Sequence, residues 1–192
     1  MKRNKLFPLV LVSIMTALGT VIYMMFPEIP LVPGVEYMKV DLSDIPALVT
    51  GLTVGPLYGI VVEIFKNLIH LMRTTTFGIG ELMNVIMGST MIVTMWLGCR
   101  LAGRLFKKSD DSSVIYYVSA IATVAMTILV GWLTNAALTP VFFTLAGIPI
   151  TAEAVLAGVW GSTLLNAIKS AVTILPFWPL IHVINQVFKR FS

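Results

Sequence analysis

Nine of the 13 lysines and arginines in this chain fall in three groups: Lys2-Arg3-Lys5, Arg100 with Arg104-Lys107-Lys108, and Lys189-Arg190, with long apolar stretches between them. Few folds accommodate that layout. Lys and Arg clusters flanking apolar segments mark the cytoplasmic side of a multispanning chain, so the two ends and one middle loop are expected inside. With 192 residues, 57% hydrophobic and 11% charged, and a mean hydropathy of +0.93, the chain has too little polar surface for a water-soluble globule. The net charge of +4 does not point to nucleic acid, because the cations sit at membrane ends and form no stripe.

The single cysteine, Cys99, excludes an internal disulfide, and no His/Cys group has zinc spacing. The opening apolar stretch imitates a signal peptide but lacks a small-x-small cleavage site, and it reads as the first helix.

That helix is predicted from about Pro8 to Phe26, long enough for roughly 30 Å of hydrocarbon at 1.5 Å per residue. A Pro/Gly-rich segment follows (Glu28 to Asp44, with Glu36, Lys39 and Asp41), which reads as an outer loop. Ile45 to Pro56 is apolar but broken by Gly51, Gly55 and Pro56, predicting a short second helix, a tight turn and a third helix from Pro56 to Met72. Arg73 to Gly78 is expected to be a second outer loop. A fourth helix, Gly80 to Phe106, returns to the cytoplasm at Lys107–Ser113, and a fifth runs from Val114 to about Thr139, before Pro140. The last helix begins between Thr151 and Gly158, ends near Phe188 and is kinked by Pro176 and Pro179. The expected class is all-α: one polytopic membrane domain over residues 1–192 with six transmembrane helices and both termini cytoplasmic. Reading Ile45 to Met72 as one span would put the middle and final basic clusters on the wrong side.

Ionisable groups in hydrocarbon cost ~2.5–3.5 kcal/mol each on insertion scales, so those inside the spans are the first candidates for function. Glu63, Lys66, Asn67 and His70 share one face of the third helix, either as an internal ion pair kept for packing or as a cavity wall. Glu81 and Asn84 lie one turn apart at the start of the fourth helix, where the helix dipole also favours a carboxylate. Asn135 falls near the outer end of the fifth helix. On the last helix Asn166 and Lys169 form the sharpest pair, because a lysine inside a span needs an acceptor and an adjacent amide supplies one. All lie in the outer half, which predicts one pocket open to the outside, with Phe142, Phe143, Trp160 and Leu82 nearby. Its amide-plus-lysine chemistry suits a neutral, flat, partly polar ligand.

These residues resemble the riboflavin-specific substrate-binding S components of energy-coupling factor (ECF) transporters. The resemblance spans essentially the whole chain. It rests on the run from Lys39 to Leu48 (KVDLSDIPAL), on Gly55-Pro56-Leu57-Tyr58-Gly59 followed by Glu63-x-x-Lys66-Asn67, on Gly80-Glu81-x-x-Asn84 and on Asn166-x-x-Lys169. It implies a six-helix plasma-membrane protein of a prokaryote that binds riboflavin, and also flavin mononucleotide (FMN), at its outer face, with no catalytic residue, metal or cofactor of its own. It further implies delivery of the flavin to a transmembrane coupling subunit and two ATPase subunits, in keeping with the absence of a phosphate-binding G-x-x-x-x-G-K-[ST] loop here.

Carried over residue by residue, the resemblance assigns Asn135, Asn166 and Lys169 to the pyrimidine edge of the isoalloxazine ring. Asp44, Glu81 and Asn84 fall to the ribityl side, and Lys66 is expected among the substrate-binding residues. It also places a small-x-x-x-small surface for the coupling subunit on the first helix, where Ser13-x-x-x-Ala17 fits and Gly19 and Thr20 extend it. Serine stands where the family usually has alanine, and packing within the chain is the alternative use of that stripe.

Three other functions compete. An S component for thiamine would want a carboxylate cage, and one for folate a basic cluster. A small intramembrane enzyme would need Glu63, His70 and Glu81 to converge. A purely structural subunit would tolerate loss of Lys169.

Overall fold

The computed structural model describes residues 6–25, 29–30, 39–107 and 112–183. Their regular structure is helical apart from one antiparallel pair of two-residue strands, β1 (Ile29–Pro30) and β2 (Lys39–Val40), which sets Ile29 opposite Val40. Four helices are long and apolar enough to cross a membrane: α1 (Leu6–Met25), α4 (Ile79–Phe106), α5 (Ser113–Leu145) and the path Ala152–Val183, whose first part is α6 (Ala152–Ile174). Their outward faces carry side chains such as Leu9, Ile14, Leu101, Leu133 and Leu164, all exposed. Water would not tolerate that surface; lipid does.

Two shorter helices, α2 (Ile45–Thr53) and α3 (Pro56–His70), form a hairpin. At 9 residues and ~1.5 Å per residue α2 covers less than half the hydrocarbon thickness, so it is the short second helix expected from the sequence and is by length too short to cross as one of six full spans. Glycine lets the hairpin close. Gly55 turns the chain at φ 129°, and a Cβ on Gly59 would fall 2.6 Å from the Ala47 carbonyl oxygen and 2.8 Å from Gly51 Cα.

The fifth helix is longer than its sequence promises. It passes through Pro140 and stops at Leu145, because proline removes one backbone donor while the turn around it stays helical. Its end is closed by Gly147 at φ 67°, with Ile148 N–H donating to Phe143 O at 2.9 Å and Gly147 N–H to Thr144 O at 3.3 Å. α6 starts on the Thr151 hydroxyl, which accepts from Ala154 N–H at 3.1 Å. At Pro176 the path tightens into a 3-10 turn, Leu175–Phe177, and continues to Val183. The expected ends of the first and last helices at Phe26 and Phe188, and the basic groups Lys2-Arg3-Lys5, Lys108 and Lys189-Arg190, lie outside the described residues.

The apolar core occupies one half of the bundle. It joins Val12 of α1, Leu48 of α2, Val62 of α3, Ile92 and Met95 of α4, Tyr116 and Ala120 of α5, and Ile174 at the end of α6. Tyr116 buries its hydroxyl there by donating to the Ile174 carbonyl at 2.8 Å. The opposite half, built from the end of α1, the starts of α2 and α4, the end of α3, the later part of α5 and the middle of α6, holds a cavity.

Candidate functional site

The cavity measures about 740 Å³, within the range of small-molecule sites. Asn135, Thr139 and Phe142 of α5 line one side and Leu165, Asn166 and Lys169 of α6 another; Glu81, Met83, Asn84 and Met87 of α4 complete the wall. Tyr23, Asp41, His70 and Arg73 line it from α1, the loop before α2, and the end of α3.

Glycine creates the room for one amide. A Cβ on Gly131 would lie 2.0 Å from Asn166 Nδ2, so the Asn166 side chain rests on bare α5 backbone. Asn135 is oriented by its own helix: Nδ2 donates to Gly131 O at 2.9 Å, one turn back.

Lys169 is held by charge. Its ammonium donates to Asp41 Oδ2 at 3.0 Å and to Asn84 Oδ1 at 2.5 Å, and pairs with Asp44 Oδ2 at 2.9 Å. Asn166, its neighbour in sequence, is not among these partners. The adjacent-amide acceptor expected from the sequence is therefore corrected: a buried ammonium recruits carboxylates, whose attraction offsets far more of its desolvation than a neutral amide does.

From Lys169 the polar contacts form a closed loop. Asp44 pairs through Oδ1 with Lys66, whose ammonium also donates to Ser43 Oγ at 2.9 Å and pairs with Glu63 Oε1 at 3.0 Å. Glu63 Oε1 accepts from Asn67 Nδ2 at 3.0 Å, Asn67 Oδ1 accepts from Asn84 Nδ2 at 3.1 Å, and Asn84 returns to Lys169. Both amide orientations follow from this chain of donors and acceptors. Burial alone would push the Asp41 carboxyl up. The charges of Lys169 and Lys66, with hydrogen bonds from Ser43 and Lys169, outweigh it and hold Asp41 below the usual carboxylate range.

Glu81 belongs to a second cluster. His70 Nδ1 meets its Oε1 at 2.9 Å, and the hydroxyls of Thr74 and Thr76 donate to its Oε2 at 2.9 and 3.3 Å. His70 in turn stacks on Tyr23, ring centroids 3.7 Å apart. Its position in the first turn of α4 adds the favourable helix dipole.

A family model, ECF transporter, substrate-specific component, matches residues 8–181. The chain belongs to that family. This S component is 30% identical over 181 residues to the riboflavin transporter FmnP of Bacillus subtilis (strain 168), covering 90% of this chain and 89% of the relative. It is 28% identical to the riboflavin transporter RibU of Staphylococcus aureus (strain TCH60), covering 99% and 95%. Its fold matches a solved S component of a bacterial ECF transporter with a TM-score of 0.68 at 22% identity, over 98% of both chains.

Within this S component, the residues picked out in the sequence divide into two layers. Asn135, Asn166, Lys169, Glu81 and Asn84 line the cavity. Asp44 and Lys66, 1% and 0% exposed, do not; they stand behind the wall and fix Lys169. Of the aromatic and aliphatic neighbours expected, Phe142 lines the cavity, whereas Leu82 and Trp160 are exposed on the outside and Phe143 is buried in packing. Trp160 meets Trp132 edge-on instead, and Trp132 Nε1 donates to Thr163 Oγ1 at 2.6 Å.

On α1, Ser13 and Ala17 are exposed, but Thr20 and Gly19 are buried within the chain. A Cβ on Gly19 would meet Ser43 O at 3.2 Å, so this part of the stripe packs against the loop before α2. Of the small-residue stripe expected from the sequence, Gly19 and Thr20 thus serve packing within the chain, and Ser13 and Ala17 are left exposed. Asp41 and Tyr23 went unselected as site residues. Asp41 had a legible signal, since a lysine inside a span requires a counter-charge and Asp41 heads an acidic loop; the Tyr23–His70 stack had none.

Proposed function

We propose that this chain is the riboflavin-binding subunit of an ECF-type vitamin uptake transporter, capturing the flavin at the outer face and delivering it inward. The observation that carries this is the convergence of Asn135, Asn166 and Lys169 on one cavity in a chain whose relatives are named riboflavin transporters. The pyrimidine edge of isoalloxazine alternates two carbonyl acceptors with an N–H donor. A primary amide matches an adjacent donor-acceptor pair, and the lysine, whose three donors are taken by Asp41, Asp44 and Asn84, donates to a further carbonyl by exchanging one of them. Phe142, Met83 and Met87 offer apolar and polarisable surface for the ring, and Asp41, Asn84 and Glu81 offer acceptors for ribityl hydroxyls.

Thiamine fits this chemistry less well. Asp41 is neutralised by Lys169, and Glu81 is engaged by His70 and two threonines, so neither is a free cage for a cation.

The charge clusters support cytoplasmic termini in a multi-pass plasma-membrane protein. The sidedness is the same whether the α2–α3 hairpin crosses fully, as in a six-span count, or dips in and returns, because either path leaves an even number of crossings. The chain performs no chemistry in this reading: a transmembrane coupling subunit and two ATPase subunits supply the energy, with Ser13 and Ala17 as the contact stripe for the former.

The test is a riboflavin titration of the purified chain, following quenching of flavin fluorescence, with FMN, thiamine and an Asn166→Ala/Lys169→Ala variant alongside. Saturable quenching lost in the variant is the expected result. A well-folded sample that quenches nothing would overturn the flavin assignment, and the FMN arm reports whether the phosphate ester is also a ligand.

A further inference from the structure

The closed network behind the cavity has an imbalance of charge. Three carboxylates, Asp41, Asp44 and Glu63, face two ammonium groups, Lys66 and Lys169. If all five were ionised, one uncompensated negative charge would sit where Glu63 and Lys66 are 0% exposed and Asp44 1%. Buried charge without a partner is among the most unfavourable arrangements a fold can hold.

The carboxylates are not equally supported. Asp41 accepts from Lys169 and from Ser43 N–H at 2.8 Å, and Asp44 bridges both lysines. Glu63 uses only Oε1, shared by Lys66 and Asn67; its Oε2 is buried with no hydrogen-bond partner among the described residues. The carboxyl is also pressed on α4 backbone, since a Cβ on Gly88 would come 2.5 Å from Glu63 Cδ. Among the described residues, the remaining titratable groups of the neighbouring elements are engaged elsewhere: Tyr23 of α1 faces Lys66, 5.7 Å from its ring centroid, His70 and Glu81 pair with each other on the cavity side, and Arg73 donates to the Met24 carbonyl at 3.3 Å.

We propose that Glu63 is a proton-binding site: it carries a proton on Oε2 at neutral pH, so that the network holding Lys169 is two carboxylates against two ammonium groups. A proton goes to the carboxylate least stabilised as an anion, and here that is Glu63. The consequence for recognition is a lysine that presents donors without net charge behind it, suited to an uncharged ring edge. The protonation argument itself does not depend on which ligand the cavity takes.

Infrared spectroscopy of the ligand-free chain in lipid nanodiscs tests it. At neutral pH the wild type is expected to show a carboxylic-acid carbonyl band that shifts on deuteration and is lost in Glu63→Gln, with thermal stability unchanged because Gln mimics the neutral acid. Removing one compensating anion, in Asp44→Asn or, if that variant fails to fold, in Asp41→Asn, should abolish the same band, since Glu63 then ionises to balance the two lysines. A wild-type spectrum without a Glu63-dependent acid band overturns the proposal. So does a band that persists in the Asp variant, or a large drop in melting temperature in Glu63→Gln.

Discussion

The two halves of the bundle solve burial in opposite ways. Around Leu48, Val62, Ile92, Met95 and Ile174 the helices meet through fully buried apolar side chains, and the hydrogen bonds found there are between uncharged groups, as where Thr123 Oγ1 donates to Ser119 O at 2.8 Å within α5 and Thr127 and Ser170 share a bond of 2.8 Å between α5 and α6. In the cavity half, charged side chains from the loop before α2, from α3 and from α6 are buried against one another across helices. Apolar packing is non-directional and tolerates small shifts. A network of fixed donors and acceptors does not, so the second half holds an amide and an ammonium in place for a ligand while the first holds the helices together.

That contrast predicts which substitutions separate binding from stability. The largest effect is expected from Lys169→Met, which strands Asp41 and leaves Asp44 with Lys66 as its one lysine partner: a loss of about 3–5 kcal/mol of stability together with riboflavin binding, read by thermal unfolding and by fluorescence titration. Met95→Ala in the apolar half should cost ~2–5 kcal/mol of stability yet leave the affinity of the folded fraction unchanged. A change in affinity there would mean that the halves are coupled.

Gly131→Val should do the reverse. The new side chain displaces Asn166 from the α5 backbone, weakening flavin binding on the order of tenfold with a smaller stability change of ~1–3 kcal/mol. His70→Ala should reduce affinity only about threefold, the scale of one lost hydrogen bond, because Thr74 and Thr76 still hold Glu81. Abolition of binding would show that the Tyr23–His70 stack is itself a ligand surface. The smallest effect on binding belongs to Ser13→Trp, which should leave the titration unaltered and impair uptake in cells; normal uptake would remove α1 as the coupling-subunit contact.

How far the sequence could be read depended on the range of the interaction. Helix order, the break at Gly55-Pro56, the position of Glu81 in the first turn of α4 and the family resemblance were all legible, since each rests on neighbouring residues or on spacing within one helix. The path through Pro140 was not, because a proline's effect is decided by whether surrounding groups accept the missing bond. Nor was the inward turn of Thr20 and Gly19, which rests on a loop more than twenty positions away.

By itself the sequence determined a helical membrane protein and the polar residues set within its apolar segments, because hydrophobicity and charge act through composition and local period. Only the tertiary structure decided that Lys169 is held by Asp41, 128 positions away, that Asp44 and Lys66 stand behind the wall instead of lining it, and that Glu63 keeps one oxygen without a hydrogen-bond partner among the described residues. Ion pairs are chosen by distance in space, and a chain that folds back on itself makes that distance independent of position in the sequence.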